Sequence, residues 1–227
     1  MNSLKPLARI VGLLILALAF IAPFGLMIVP AQLIVVGDAA ATASNVRASQ
    51  NLLRAGIASD AVVFLIEIVL TVMIYALLKP VNETLSLVAA FARLAMTIVQ
   101  GVNLLNYFAI LSLVGGAGYL AVFTTPQLDS LALLFFNLHE SVALVWGLFF
   151  ALHLLVSGYL VYQSGYIHKV VGLLLIVAGL CYATQSFGNI LFPQHKDVLI
   201  SIGLLSMVEL AFPLWLLVKG VKIEERV

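Results

Sequence analysis

The chain has 227 residues, of which 63% are hydrophobic and 9% charged, with a formal net charge of +1 and a mean hydropathy of +1.18. Soluble domains carry about 25% charged residues, so this composition excludes an ordinary soluble globule and describes an integral membrane protein. No basic run with interleaved aromatics occurs, so nucleic acid is not an expected partner, and the single Cys181 excludes an internal disulfide and any cysteine-based metal cluster.

In chain order, Lys5 and Arg9 precede an apolar run that continues to Val36, interrupted only by Pro23, Gly25, Pro30 and Gln32. This run exceeds the roughly 7–15 residues of a cleavable signal segment, and an uncleaved first span is expected. A bilayer core takes about 20 mostly apolar residues per helix. On that measure six transmembrane helices are predicted, near residues 10–29, 61–78, 85–114, 131–162, 170–191 and 198–218. The expected architecture is all-α, a single membrane domain over residues 1–227.

Between the first two spans, Gly37 to Ser59 is alanine-rich and polar. Asp38 suits an N-cap, and Val46, Leu53 and Ile57 fall near one face, which predicts a short helix outside the membrane. The fourth span is expected to begin at Thr125 as cap, with Pro126 in the first helical position and Asp129 at the positive end of the helix dipole.

The basic residues set an orientation. Lys5, Arg9, Lys79, Lys169, Lys219, Lys222 and Arg226 collect on one side, Arg47, Arg54 and Lys196 on the other, and Arg93 lies within a span. The bias places both termini in the cytoplasm and the short helix on the opposite, extracytoplasmic face.

Ionisable groups inside apolar spans are functional-site candidates by default. Span two carries Glu67, with Thr71 and Tyr75 at steps of four. Span three carries Arg93, Gln100, Asn103 and Tyr107 on one helical face, with Asn106 beside them. Span four contributes Asn137, His139 and Glu140, and heptad spacing aligns His139, Trp146 and His153. Span five contributes Tyr182, Gln185, Ser186 and Asn189; span six carries Glu209 between Ser206 and Pro213. The candidate cluster is therefore Glu67, Arg93, Gln100, Asn103, His139, Glu140, Gln185, Asn189 and Glu209, read as lining a polar cavity that opens outward. Arg93 needs a carboxylate partner if it is buried, and Glu209 is preferred over Glu67.

Plainer roles compete with these. Arg93 can snorkel toward headgroups, and Asn and Gln can act as interhelical hydrogen-bonding groups worth about 0.6 kcal/mol each. His139 and His153 stand fourteen residues apart, about 21 Å along a helix, so they cannot share one metal, and His153 alone reads as a packing histidine. No metal, haem or other cofactor is expected. Nucleotide-binding loops, serine-hydrolase elbows and zinc-protease motifs are absent from the sequence.

Several phrases carry a family resemblance: "VGDAAATASNVRAS" after span one, "YALLKPVNETLSLVAAFARL" across spans two and three, "GYLVYQSGYIHKVVGLLLIVAGLCY" around the fourth loop, and "VELAFPLWLLVKGV" at the end. Together they resemble a bacterial family of multi-pass membrane proteins known as a domain of unknown function. The resemblance implies the six-span fold and makes Arg93 and Glu209 that family's characteristic charged positions. It implies no substrate, reaction or cofactor. The function expected first is a small-molecule transporter or ligand-binding membrane protein, with lipid and a small polar or amphipathic ligand as partners. A lipid-acting enzyme using His139 or Glu140 as base is a second class, and a structural or sensory protein is a third.

Overall fold

A computed structural model of the chain describes residues 4–221; Lys222 and Arg226, two of the cations in the orientation argument, lie outside the described residues. Among the described residues every regular element is helical. Six helices are long and apolar enough to cross a membrane: α1 (Leu4–Leu33), α3 (Gln50–Leu78), α4 (Glu83–Val114), α5 (Thr125–Gln163), α6 (Lys169–Leu191) and α7 (Pro193–Val218). A short helix, α2 (Ala39–Ala48), follows the first. In none of the six is more than half of the most apolar stretch buried within the protein. Large side chains such as Phe20, Phe91 and Leu105 face outward. In water such a surface would aggregate; against lipid chains it needs no cover.

The helices outrun the predicted spans because helix formation does not stop where hydropathy falls. α3 begins at Gln50, eleven residues before the apolar run, and only Ser49 separates it from α2. The expected N-cap of α2 is present, with Asp38 Oδ1 accepting from Ala41 N–H at 2.9 Å. The cap of α5 lies one residue earlier than expected. Gln127 Oε1 accepts from the N–H of Thr124 at 2.8 Å, which leaves Thr125 as the first helical residue and moves Pro126 to the second position.

Two long elements depart from α-helical geometry. α1 passes through a π-helical turn at Phe24–Ile28, between Pro23 and Pro30. α7 tightens to a 3₁₀ turn at Ser206–Leu210, just before Pro213, whose missing N–H breaks the ladder at Glu209. Such interruptions in membrane helices are tolerated where protein rather than lipid meets the freed backbone.

The described chain divides into two compact units. The first takes in the chain up to Leu18, Leu65–Ile98 and everything from Leu144 onward. Within it α5 and α6 cross at glycines. A Cβ on Gly158 would lie 2.8 Å from the Gly172 oxygen, and one on Gly172 2.6 Å from the Gly158 oxygen, so backbone meets backbone. α1 approaches α7 in the same manner, Gly12 lying against the Pro213 carbonyl. Tyr166, in the α5–α6 loop, donates to the Leu77 carbonyl at 2.6 Å and ties that loop to the end of α3.

The second unit comprises Ala19–Phe64 and Val99–Ala143. Its core gathers Val29 and Leu33 of α1, Val46 of α2, Leu53 and Ile57 of α3, Leu104, Tyr107 and Ile110 of α4, and Phe136 of α5. The three residues assigned to one face of the polar stretch, Val46, Leu53 and Ile57, are all in this core. Arg47 at the end of α2 pairs with Asp129, which as the fifth residue of α5 lies beyond the first turn where it was expected, so its role is the ion pair rather than the helix terminus.

Candidate functional site

The candidate residues fall into two groups, one in each compact unit. In the first unit Arg93 of α4 is 5% exposed and sits between α3 and α5. Its Nη2 lies 2.6 Å from Glu67 Oε2, and its Nη1 lies 3.1 Å from His153 Nε2. The other ring nitrogen of His153 lies 2.9 Å from the Ala89 carbonyl. A carbonyl can only accept, so Nδ1 carries the proton and Nε2 is free to accept from the guanidinium. His153 is thus a neutral orienting partner that fixes the arginine from the far side. The arginine is not saturated, since its Nε has no partner, and Glu67 Oε2 touches it without a well-directed hydrogen bond.

This corrects the expected pairing: Arg93 of α4 meets Glu67 of the neighbouring α3, not Glu209. Glu209, on the 3₁₀ turn of α7, instead accepts from the Tyr182 hydroxyl of α6 at 3.2 Å. Among the described residues it takes part in no ion pair.

Aromatic rings join the two halves of this group. Tyr182 meets Phe150 edge to face at 4.9 Å and Trp146 at 6.0 Å. Phe150 stacks on Trp146 at 5.1 Å and lies parallel to the His153 ring at 6.1 Å. Chemically the group holds two carboxylates, one guanidinium, one neutral imidazole and three partly buried aromatic rings. Gln185 and Asn189 belong to the same unit. The Gln185 side chain fills the space over Gly203 of α7, whereas Asn189 donates within its own helix to the Gln185 backbone carbonyl at 2.8 Å.

The second unit holds the remaining candidates. Asn103 is 1% exposed; its amide donates to the His139 carbonyl at 3.0 Å and to Gln100 Oε1 at 3.3 Å. Asn106 donates to Asn103 Oδ1 at 2.8 Å. His139 is 6% exposed and stacks on Tyr107 with ring centroids 4.0 Å apart. Its neighbour Glu140 points away and is exposed, as the roughly 100° step between adjacent helical residues requires. A surface depression of about 540 Å³ near the start of α5, lined by Phe123, Pro126, Gln127, Ser130, Leu131 and Leu134, includes none of the candidates. Among the described residues no three His, Cys, Asp or Glu side chains converge as for a metal ion.

Sequence reasoning left two participants out of the cluster. His153 was read as packing, although its heptad alignment with His139 was visible. Tyr182 was named on span five but without its acidic partner.

The outward apolar faces and the length and number of the helices define the class: a helical multi-pass membrane protein. Residues 10–220 match the family described as "Domain of unknown function (DUF4386)", and the chain belongs to that family. It is also similar to an uncharacterized protein of Archaeoglobus fulgidus, 26% identical over 171 residues, covering 72% of this chain and 82% of the relative. That relative is archaeal, so a bacterial origin rests on the resemblance of the quoted phrases alone. No solved structure matches the chain.

Proposed function

We propose that the protein carries or binds a small cationic solute in the membrane, at the group formed by Glu67, Arg93, His153, Tyr182 and Glu209. The observation that supports this most is the charge imbalance. The group holds one guanidinium, which Glu67 engages, and a second carboxylate, Glu209, whose partner is only a neutral phenol. An uncompensated carboxylate away from water is costly, and a positively charged ligand would offset it. The partly buried faces of Trp146, Phe150 and Tyr182 beside it suit an ammonium group, which aromatic quadrupoles attract. A neutral or anionic solute would leave the imbalance in place.

The basic-residue bias supports cytoplasmic termini and an extracytoplasmic α2, and lipid covers the exposed apolar faces. Thermal unfolding in detergent tests the ligand class. Choline should raise the melting temperature saturably, while its uncharged isostere 3,3-dimethylbutan-1-ol should not. A ligand at 100 times its Kd stabilises by about 2.7 kcal/mol. Glu209→Gln should abolish the response. Equal effects of the charged and neutral compounds, or a response retained by Glu209→Gln, would contradict the proposal.

A further inference from the structure

A second polar centre lies in the other compact unit, independent of the site above. Asp60 of α3 is 1% exposed. Its Oδ1 packs on Gly25 so closely that a Cβ there would lie 2.1 Å from it, so any larger residue would push the carboxylate aside. Gly25 lies in the π-helical turn of α1, where the N–H of Val29 reaches back to the Phe24 carbonyl. Pro23 and Pro30 flank that turn and withhold the N–H groups that earlier carbonyls would otherwise receive. Ser59, the residue before Asp60, donates to the Ile21 carbonyl in the preceding turn at 3.4 Å.

Two oxygens here are buried and without any partner: Asp60 Oδ2 and the Tyr107 hydroxyl of α4. Both residues belong to the same compact unit, and Tyr107 is part of its core. Buried polar atoms are ordinarily satisfied, so two unpartnered oxygens in one apolar core call for a ligand that accepts both. Apolar side chains close around them, including Val29, Ile57, Leu104 and Phe136. Arg47, the cation paired in this unit, is engaged with Asp129.

We propose that Asp60, the Tyr107 hydroxyl and the proline-freed carbonyls of α1 bind a small, desolvated monovalent inorganic cation, sodium or lithium. The donors are all hard oxygens, which select alkali and alkaline-earth ions over zinc or copper. A single carboxylate balances one positive charge, whereas divalent sites collect more acidic ligands or retain waters. The tight approach at Gly25 favours a small ion over potassium. Freed backbone carbonyls beside a carboxylate at a broken membrane helix provide the dehydrated oxygen shell such an ion needs.

The test is thermal unfolding of the purified full chain in detergent, in chloride salts of sodium, lithium, potassium and N-methylglucamine at equal ionic strength. Sodium and lithium should raise the melting temperature by about 3–6 °C over N-methylglucamine, saturably, with potassium weaker. Asp60→Asn should remove the difference, and Tyr107→Phe should raise the half-saturating sodium concentration on the order of tenfold. Glu209→Gln should leave the sodium response intact, which separates this site from the ammonium site. Should Asp60→Asn fail to fold, binding of radioactive sodium to the wild type, expected at one ion per chain and weakened in Tyr107→Phe, decides instead. Identical melting in all four salts, a sodium response retained by Asp60→Asn, or no bound radioactive sodium would overturn the proposal.

Discussion

Arg93 shows how much depends on a single side chain in a medium without water. Its guanidinium is held by Glu67 on one side and by His153 on the other, and removing one partner of a buried pair costs about 3–5 kcal/mol. Glu67→Gln should therefore lower stability in detergent by about that amount, and adding Arg93→Gln should recover part of it. Additive losses in the double-mutant cycle would show that the two are uncoupled. Glu209→Gln should behave differently. It replaces an acid that has only a phenol partner with a neutral amide of the same shape, so its stability cost should be well below that of Glu67→Gln, measured by the same unfolding assay. At this scale the sequence was only partly legible. The inward stripes identified Arg93, Glu67 and Glu209 as interior residues, yet helical periodicity gives a direction around one axis and not the identity of the facing helix. The choice between two carboxylates could not be made from spacing.

Elements are joined here by glycine contacts and by a few side chains that reach across. Because the α5–α6 crossing brings Gly158 and Gly172 backbones together, Gly172→Leu should force the helices apart and destabilise by at least about 1–3 kcal/mol; unchanged thermal unfolding would contradict the close packing. Tyr166 offers a pH test outside the spans. Burial pushes its hydroxyl up to about 12 from an ordinary value of 10.0. Since the folded value is the higher one, its contribution is complete below pH 10 and is lost as pH rises from 10 through 12. Tyr166→Phe should remove that alkaline component from the stability profile. The long apolar runs made the six helices legible, because nothing else accommodates about 20 such residues. Their true ends were not, since Gln50 to Asp60 continues α3 with polar side chains while hydropathy falls. The π turn of α1 was marked by Pro23, Gly25 and Pro30, but prolines alone do not reveal which way a helix yields.

For the whole molecule, the composition pointed to the class, and the spacing of the apolar runs along the chain gave the count of six helices. The division of the polar residues into two groups followed from neither, because residues on one helix, such as Asp60 and Glu67 or His139 and His153, belong to different compact units. Orientation is open to a direct check. In a Cys181→Ser background, cysteine at position 47 should react with an impermeant thiol reagent from outside intact cells, and cysteine at position 169 only after the membrane is opened. The reverse pattern would invert the topology. The central claim, that the Arg93 group is one positive charge short and takes a cation, is tested most directly by equilibrium dialysis of radiolabelled choline and tetramethylammonium against purified protein. Saturable binding of at least one of them, near one per chain and lost in Glu209→Gln, is the predicted result. No saturable binding of either, or binding undiminished in Glu209→Gln, would contradict it.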